Sequence, residues 1–308
     1  MDTNLINWLL AGDPAIRWQV LRDLLAAPQE QVESERAKVS SLGWGAELLS
    51  RQNSDGNWGK GVYNPKWIST TYTLLLLRQL GLPAAHPQAL CGCEKFFFRG
   101  LEKDGGINLF KRLSYSETCV NGMLLTLLCY FRYPDERIHS VAEFLLHEQM
   151  PDGGWNCQRI KGASHSSFHT TISVLDGLAE YALAYPHSLA NLKSARDSAR
   201  EFLLQHHLYQ SHRTGKPADS SMTRMHFPPR WHYDFLRGLD YFQSAAEPKD
   251  ERMQAAIQLL LDKQTPDGQW LMNQPWNGKV FFNIEETGQP SRWNTLRALR
   301  VLNWWQQN

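Results

Sequence analysis

Apolar residues recur at helical spacing through most of this 308-residue chain, and no long stretch alternates apolar and polar side chains as a β-strand would. Some segments are apolar on nearly all sides, namely 74–80, 123–128, 174–178, 235–239 and 296–302, whereas 141–146 and 253–261 have one apolar face. A helix that is apolar all round is typical of a buried position, and an amphipathic helix covers a core. The pattern therefore predicts an all-α fold with an inner and an outer layer of helices.

A turn built on Asp-Gly precedes most of the apolar segments. Its aspartates are Asp55, Asp104, Asp152 and Asp267, and the successive intervals are 49, 48 and 115 residues. The last interval is wide enough for two units, and Asp219 is a candidate for a degenerate copy. Three copies read Gln-x-x-Asp-Gly-x-Trp, so we expect the Trp to pack on the next repeat and the Gln to bridge to it. A period near 50 residues predicts stacked helix pairs.

Each predicted inner helix begins with a short polar cluster. The five starts are 69–71, 117–119, 169–171, 230–232 and 293–295. Before them, residues 1–40 contain further helical patterns, one of which has Asp13 as a cap and Pro14 in the first turn. We therefore expect a single domain over residues 1–308, in which 41–308 form the repeat region and the helices of 1–40 pack on its outside.

The Gln-x-x-Asp-Gly-x-Trp turns resemble those of the squalene cyclases, and the helix layout is similar to the wider superfamily of terpenoid cyclases and protein prenyltransferases. The resemblance covers roughly residues 40–305. It implies that the helix pairs close into an α/α toroid whose inner helices start around one mouth of a central cavity. Squalene cyclases protonate their substrate with an Asp-x-Asp-Asp motif, whereas this chain contains no Asp-Asp pair. The resemblance therefore identifies architecture and not chemistry.

Candidate metal ligands lie at three of the predicted helix starts. Glu117 and Cys119 begin one helix, and Phe168-His169-Thr170 begins the next. This arrangement resembles the zinc site of protein prenyltransferase β subunits, although Glu117 stands where that family has an aspartate. His232 is a further candidate from the following helix. Carboxylate, thiolate and imidazole suit tetrahedral zinc, so the resemblance implies one zinc ion. The alternative is a small core cysteine and a hydrogen-bonded buried histidine.

Residues 227–234 supply a cation, a titrating base, a phenol and a carboxylate close together. The candidate catalytic residues are Arg230, His232, Tyr233 and Asp234, with Arg292 and Asn294 at the last helix start. In this hypothesis His232 and Asp234 transfer protons, and the arginines neutralise an anionic group. The alternative for Asp234 is helix capping. The second acid on the same predicted helix, Asp240, is expected to lie with it on a solvated face.

Composition restricts the possible partners. The formal net charge is +1, which gives no reason to expect nucleic acid or an acidic membrane. The five cysteines lack the spacing of a disulfide framework, and Cys157 is expected to be structural. The chain begins with no signal-like segment and has no apolar run of the roughly 20 residues that a membrane span needs. We therefore expect a cytoplasmic protein.

These observations favour a zinc-dependent enzyme acting on a small, partly apolar and isoprenoid-like molecule in the central cavity. Two alternatives stay open. One is a non-catalytic toroid that binds a ligand or serves as a scaffold, and the other is a lyase-like toroid enzyme. A protein partner is possible, since prenyltransferases pair with a second subunit. We expect the functional centre at the starts of the second, third and fourth inner helices, with His169 and His232 facing a common point.

Overall fold

The computed structural model describes residues 2–186 and 190–307. Within these ranges turns and loops join thirteen α-helices, and the only β-type pairing consists of isolated bridges. The helices are α1 Thr3–Leu10, α2 Pro14–Asp23, α3 Gln29–Ala37, α4 Gly43–Ser50, α5 Thr70–Leu80, α6 Pro87–Glu94, α7 Thr118–Tyr130, α8 Arg137–His147, α9 Phe168–Ala184, α10 Leu192–Gln205, α11 Phe235–Ser244, α12 Gln254–Asp262 and α13 Arg292–Gln306. The all-α prediction is confirmed. No helix in the described ranges is long and apolar enough to cross a membrane.

Six helices, α2, α5, α7, α9, α11 and α13, surround a central cavity. Contacts link α5 with α7, α7 with α9, α11 with α13, and α13 with α2. Arg237 of α11 donates to Asp176 of α9 at 2.8 Å, which joins those two helices. The indole of Trp18 on α2 donates to the Leu80 carbonyl at the end of α5, at 2.9 Å. The inner helices therefore close a ring, and the predicted α/α toroid is confirmed.

The position of α2 differs from the sequence prediction, which placed the helices of residues 1–40 outside the ring. Helix α2 lies in the inner row, where Trp18 and Gln19 line the cavity. It fills the gap between α13 and α5, and Asp23 at its end binds Arg300 of α13 at 3.0 Å. The helical pattern alone did not reveal this docking. The start of α2 is as predicted, since the Asp13 side chain accepts from the Ala15 amide at 2.8 Å.

The same contacts recur at the Asp-Gly turns. In three of them a fully buried Trp donates its backbone amide to a Thr of the following inner helix at 3.0 Å, and its indole to a carbonyl ten residues earlier at 2.7 Å. These tryptophans are Trp58, Trp155 and Trp270. In addition, the amides of Gln52 and Gln149 donate to a carbonyl of the next outer helix, at 2.9 and 2.8 Å. The expected packing of the Trp and bridging by the Gln are therefore observed.

Helices α7 and α9 approach each other most closely at two glycines. A Cβ atom at Gly122 would lie 2.6 Å from the carbonyl oxygen of Ser173, and one at Gly177 would lie 2.6 Å from the Gly122 oxygen. Because both obstacles are backbone atoms, neither position has room for a larger side chain. The two helices are therefore in backbone contact, and their first turns lie side by side.

Two local predictions are wrong. The fourth helix start was expected at 230–232, but α11 begins at Phe235. Arg230 has a left-handed backbone with φ of 60°, which a helix cannot contain, and the Asp234 side chain caps α11 by accepting from the Arg237 amide at 2.8 Å. Asp219 begins a short 3-10 turn, Ser220–Thr223, rather than a fifth Asp-Gly turn.

Candidate functional site

The inner helices line a partly open cavity of about 330 Å³. It is lined mainly by later residues of the inner helices, such as Arg78 of α5, Tyr130 of α7 and Glu180 of α9. Aromatic rings from Trp18, Tyr130, Phe227 and Trp293 form part of its wall. The cavity therefore combines flat apolar surfaces with charged side chains, and none of the site residues predicted from the sequence lines it.

Positive charge exceeds negative charge around this cavity. The lining arginines are Arg22, Arg36, Arg78, Arg237, Arg297 and Arg300, and the lining carboxylates are Asp176, Glu180 and Asp240. Asp23, which binds both Arg22 and Arg300, brings the nearby carboxylates to four against six arginines. The excess of two positive charges favours an anionic ligand.

Most of these arginines are paired. Arg78 donates to Glu180 at 2.6 Å, and Asp240 accepts from Arg300 at 2.6 Å and from Arg297 at 3.2 Å. Burial by itself would raise the pKa of Asp240, but the charges of Arg300 and Arg297 outweigh it, and the pKa lies below its ordinary value. Asp240 is therefore a structural anion of the cavity wall and a poor proton donor.

Arg36 has a different environment from the paired arginines. It donates to the Gly81 carbonyl and to the Tyr130 hydroxyl, both at 2.9 Å, and no carboxylate of the described residues is in ion-pair contact with it. Its guanidinium lies 5.2 Å from the centroid of the Trp18 ring, and that of Arg22 lies 4.5 Å from the same ring. Two cations thus flank one indole, and one of them retains its charge uncompensated.

The prediction that Asp234 and Asp240 share a solvated face is wrong. Asp234 is 1% exposed and caps α11, and the side chain of Asp240 is 21% exposed between two arginines. The arginine partners lie 57 and 60 residues later in the sequence. Helical spacing of the two acids therefore could not indicate their burial.

His169 and His232 lie close together at the starts of the inner helices, with ring centroids 5.7 Å apart. Nδ1 of His169 accepts a hydrogen bond from the Tyr233 amide at 2.8 Å. The His232 ring is stacked between Trp231 and Trp276, at centroid distances of 3.7 and 3.5 Å. Burial, together with the positive charge of neighbouring basic groups, lowers the pKa of His232 to about 3. It is a neutral ring inside an aromatic stack at neutral pH.

The other two predicted ligands, Glu117 and Cys119, lie at the start of α7. Glu117 is half-buried at the start of α7, and this burial raises its pKa. Interaction between the Cys119 and Cys157 side chains raises the pKa of Cys119 and lowers that of Cys157 to about 6. The structural role expected for Cys157 stays a prediction.

These four residues do not form a metal-binding set. Within residues 2–186 and 190–307 no group of three or more His, Cys, Asp and Glu side chains is placed to hold a metal ion. The Cys119 thiol is engaged with Cys157, His169 with the Tyr233 amide, and His232 with two indoles. The zinc ion stays a prediction from sequence resemblance.

The remaining candidate catalytic residues have contacts that account for them structurally, and none lines the central cavity. The Tyr233 hydroxyl donates to the Leu208 carbonyl at 2.6 Å, and the Asn294 side-chain amide donates to the Leu271 carbonyl at 2.9 Å.

The two candidate arginines contact aromatic rings. Arg292 donates to the Trp8 carbonyl at 3.0 Å and lies over the Trp8 ring. Arg230 lies 5.5 Å from the Trp67 ring centroid, and burial lowers its pKa to about 10. Their catalytic roles stay predictions.

The sequence does contain a signal for the cavity residues. Helices α5, α9, α11 and α13 contain the apolar segments of the inner row, yet each also carries one or more charged residues: Arg78, Glu180, Asp240 and Arg297 are examples. A charge inside a helix that is apolar all round must be paired or must face a cavity. That argument, applied to each inner helix, would have located the site.

Comparison with known proteins gives distant similarities. No family model matches the chain. A drimenyl diphosphate synthase of Streptantibioticus cattleyicolor is 27% identical over 128 residues, covering 41% of this chain and 24% of the relative. A drimenyl diphosphate synthase of Streptomyces showdoensis is 26% identical over 136 residues, covering 44% and 25%. The matches therefore span about a quarter of the length of these relatives.

Two solved structures are similar to the chain at 17% sequence identity. One is a protein from Actinoplanes, with a TM-score of 0.48 and coverage of 94% of this chain and 89% of that one. The other is the type II terpene cyclase MstE from Scytonema, with a TM-score of 0.46 and coverage of 87% and 81%. The sequence matches to the two synthases support the terpenoid-cyclase-like fold that the turn motif predicts.

Proposed function

We propose that this protein binds an isoprenoid diphosphate, or a closely similar anionic isoprenoid, in its central cavity. The observation that carries the proposal is the excess of arginines around a cavity of about 330 Å³ that also has aromatic walls. Ligand pockets in proteins commonly measure about 300–1,000 Å³. Guanidinium groups recognise phosphate oxygens through paired hydrogen bonds, and aromatic rings accommodate an apolar chain. The names of the two sequence relatives, both drimenyl diphosphate synthases, support the same ligand class.

Within this proposal the anionic group lies beside Arg36 and Arg22, above Trp18. Arg36 is the cavity arginine whose charge has no carboxylate partner in the described residues, so an incoming anion need not displace one. Arg237, Arg297 and Arg300, in contrast, are each bound to an aspartate. The apolar body then extends toward Phe227 and Trp293, whose rings are stacked at a centroid distance of 3.9 Å.

Titration calorimetry with farnesyl diphosphate, farnesol and inorganic diphosphate tests this function. We expect farnesyl diphosphate to bind, and to bind at least tenfold more tightly than farnesol. Arg36→Gln is expected to weaken farnesyl diphosphate binding by roughly tenfold or more, because a charge-assisted hydrogen bond is worth about 1.5–3 kcal/mol. Binding of farnesol should be unchanged in this variant.

Arg213→Gln serves as the matched control, because Arg213 is exposed and does not line the cavity. It should leave all three affinities unchanged. Equal losses in both arginine variants, or absence of binding by farnesyl diphosphate, would contradict the proposal. Gas chromatography of the incubated ligand then separates the two classes of function: a new terpenoid product indicates an enzyme, and recovery of the unchanged isoprenoid indicates a binding protein.

A further inference from the structure

Two positive charges without counter-ions flank the buried indole of Trp67, outside the central cavity. The Arg230 guanidinium lies 5.5 Å from the Trp67 ring centroid, and Nζ of Lys66 lies 5.6 Å from it. Neither cation forms an ion pair or a side-chain hydrogen bond with residues 2–186 or 190–307. Because arginine stays protonated in proteins, a partly buried Arg230 is stabilised by a neutralising partner. The described residues do not supply that partner.

Arg230 shares a small cavity with an unpaired hydroxyl group. The cavity measures about 10 Å³, and it is lined by Arg230, Thr73, Trp67, two leucines and residues 280–282. Thr73 is 1% exposed, and its Oγ1 atom has no hydrogen-bond partner in the described part of the chain. A volume of roughly 10–15 Å³ is what one water molecule needs. A single occupant of this size would therefore contact both the guanidinium and the hydroxyl.

One wall of this cavity belongs to the strap, the segment 276–282 between α12 and α13. The Lys279 carbonyl accepts from the Trp67 amide at 2.7 Å, and the Lys279 amide donates to the Lys66 carbonyl at 2.9 Å. In addition, the Trp67 indole donates to the Trp276 carbonyl at 3.0 Å. Val280 lines the cavity and is itself 40% exposed, so the strap lies between the cavity and solvent.

We propose that Arg230 and the Thr73 hydroxyl bind a chloride ion beneath the strap. Both groups can donate hydrogen bonds to an anion, and those of the guanidinium are assisted by its charge. A phosphate or carboxylate group contains several heavy atoms and exceeds the space that one water molecule needs. Water would pair with Thr73 but would leave the guanidinium charge uncompensated. The size and the charge of the cavity together therefore select a monatomic anion.

The direct test uses the wild-type protein and bromide, which is monatomic like chloride and scatters X-rays anomalously. Crystals grown with sodium bromide and measured at the bromine absorption edge are expected to show an anomalous peak in contact with Arg230 and Thr73. In solution, the protein should broaden the NMR resonance of chloride, and added bromide should reverse the broadening by competition. A cavity that holds only water, with bromide at surface positions alone, would overturn the proposal.

Stability supplies a second readout, because a ligand that binds only the folded chain raises its resistance to urea. The urea midpoint of the wild type should rise as potassium chloride replaces potassium gluconate at constant ionic strength. Arg230→Gln should abolish this rise. Thr73→Val keeps the shape of the side chain and removes one neutral hydrogen bond, so it should weaken chloride binding by roughly threefold or more.

Arg213→Gln is the matched control, because Arg213 is exposed and lines neither this cavity nor the central one. It should keep the chloride-dependent rise of the wild type. The same chloride dependence in wild type and Arg230→Gln would contradict the site. The bromide and NMR measurements need only the wild-type chain, so they decide the question even if a variant folds poorly. Since the chloride site is separate from the central cavity, none of these outcomes depends on isoprenoid binding.

Discussion

Asp240→Ala is expected to lower the free energy of unfolding by about 3 kcal/mol, because it removes the shared anion of two arginines. Asp240 accepts from Arg300 at 2.6 Å and from Arg297 at 3.2 Å, and the side chains of these arginines are only 12% and 5% exposed. Removing one partner of a buried pair costs about 3–5 kcal/mol, since it leaves an uncompensated charge. The lower end applies here, because Arg300 keeps Asp23 and Asp240 is itself 21% exposed.

Urea denaturation followed by circular dichroism measures this effect, and pH gives an independent check. The arginines hold the pKa of Asp240 below its ordinary value despite burial. A carboxyl group whose folded-state pKa is depressed stabilises the fold above its unfolded pKa of about 3.9, and the stabilisation is lost as pH falls through the folded value. The difference in stability between wild type and Asp240→Asn should therefore be constant at neutral pH and shrink progressively below about pH 4.

Asp197→Ala is the control, because Asp197 pairs with Lys193 and Arg200 but is 42% exposed. An exposed ion pair contributes about 0–1 kcal/mol, so this loss should be small. Equal losses for Asp197→Ala and Asp240→Ala would show that the cavity charges stabilise no more than surface ones, and would contradict the interpretation of Asp240 as part of the wall.

Local structure was predictable where a short segment determines its own geometry. The Asp-Gly turns, the Asp13 cap and the alternation of inner and outer helices all follow from residues within a few positions of each other. The hydrogen bond from the Trp58 indole to the Leu48 carbonyl spans only ten residues, and the Gln-x-x-Asp-Gly-x-Trp motif that contains this Trp recurs along the sequence. Such features are found because their partners lie in one window of sequence.

The ion pairs of the cavity could not be predicted in the same way, because their partners lie on distant segments. Arg78 and Glu180 are 102 residues apart, and the sequence around either residue does not indicate which charge it binds. The docking of α2 into the ring has the same cause, since an amphipathic pattern specifies a buried face but not its neighbour. The approach of His169 and His232 was predicted, and their ring centroids lie 5.7 Å apart. The stacking of Trp276 on His232 was not predicted, because Trp276 comes 44 residues later in the sequence.

Trp155→Ala is expected to lower the free energy of unfolding by about 4 kcal/mol, because truncation of a buried Trp leaves a cavity costing about 3–5 kcal/mol. Trp155 is fully buried between α8 and α9. Its indole donates at 2.7 Å to the Leu145 carbonyl, in the last turn of α8, where carbonyls lack a helical partner. Trp155→Phe keeps most of the apolar area and loses this hydrogen bond, so a smaller loss of about 1–2 kcal/mol is expected.

Urea denaturation of both variants beside Trp305→Ala measures these costs. Trp305 is only partly buried near the end of α13, so its truncation should cost less than half as much as that of Trp155. Trp58 and Trp270 make the same two hydrogen bonds, so their alanine variants should lose similar amounts of unfolding free energy. In the absence of urea, these variants should still bind farnesyl diphosphate. A small loss of stability in Trp155→Ala together with loss of ligand binding would mean that the turns contribute directly to the ligand site. The interpretation of the turns as packing elements and of the cavity as the functional site would then be wrong.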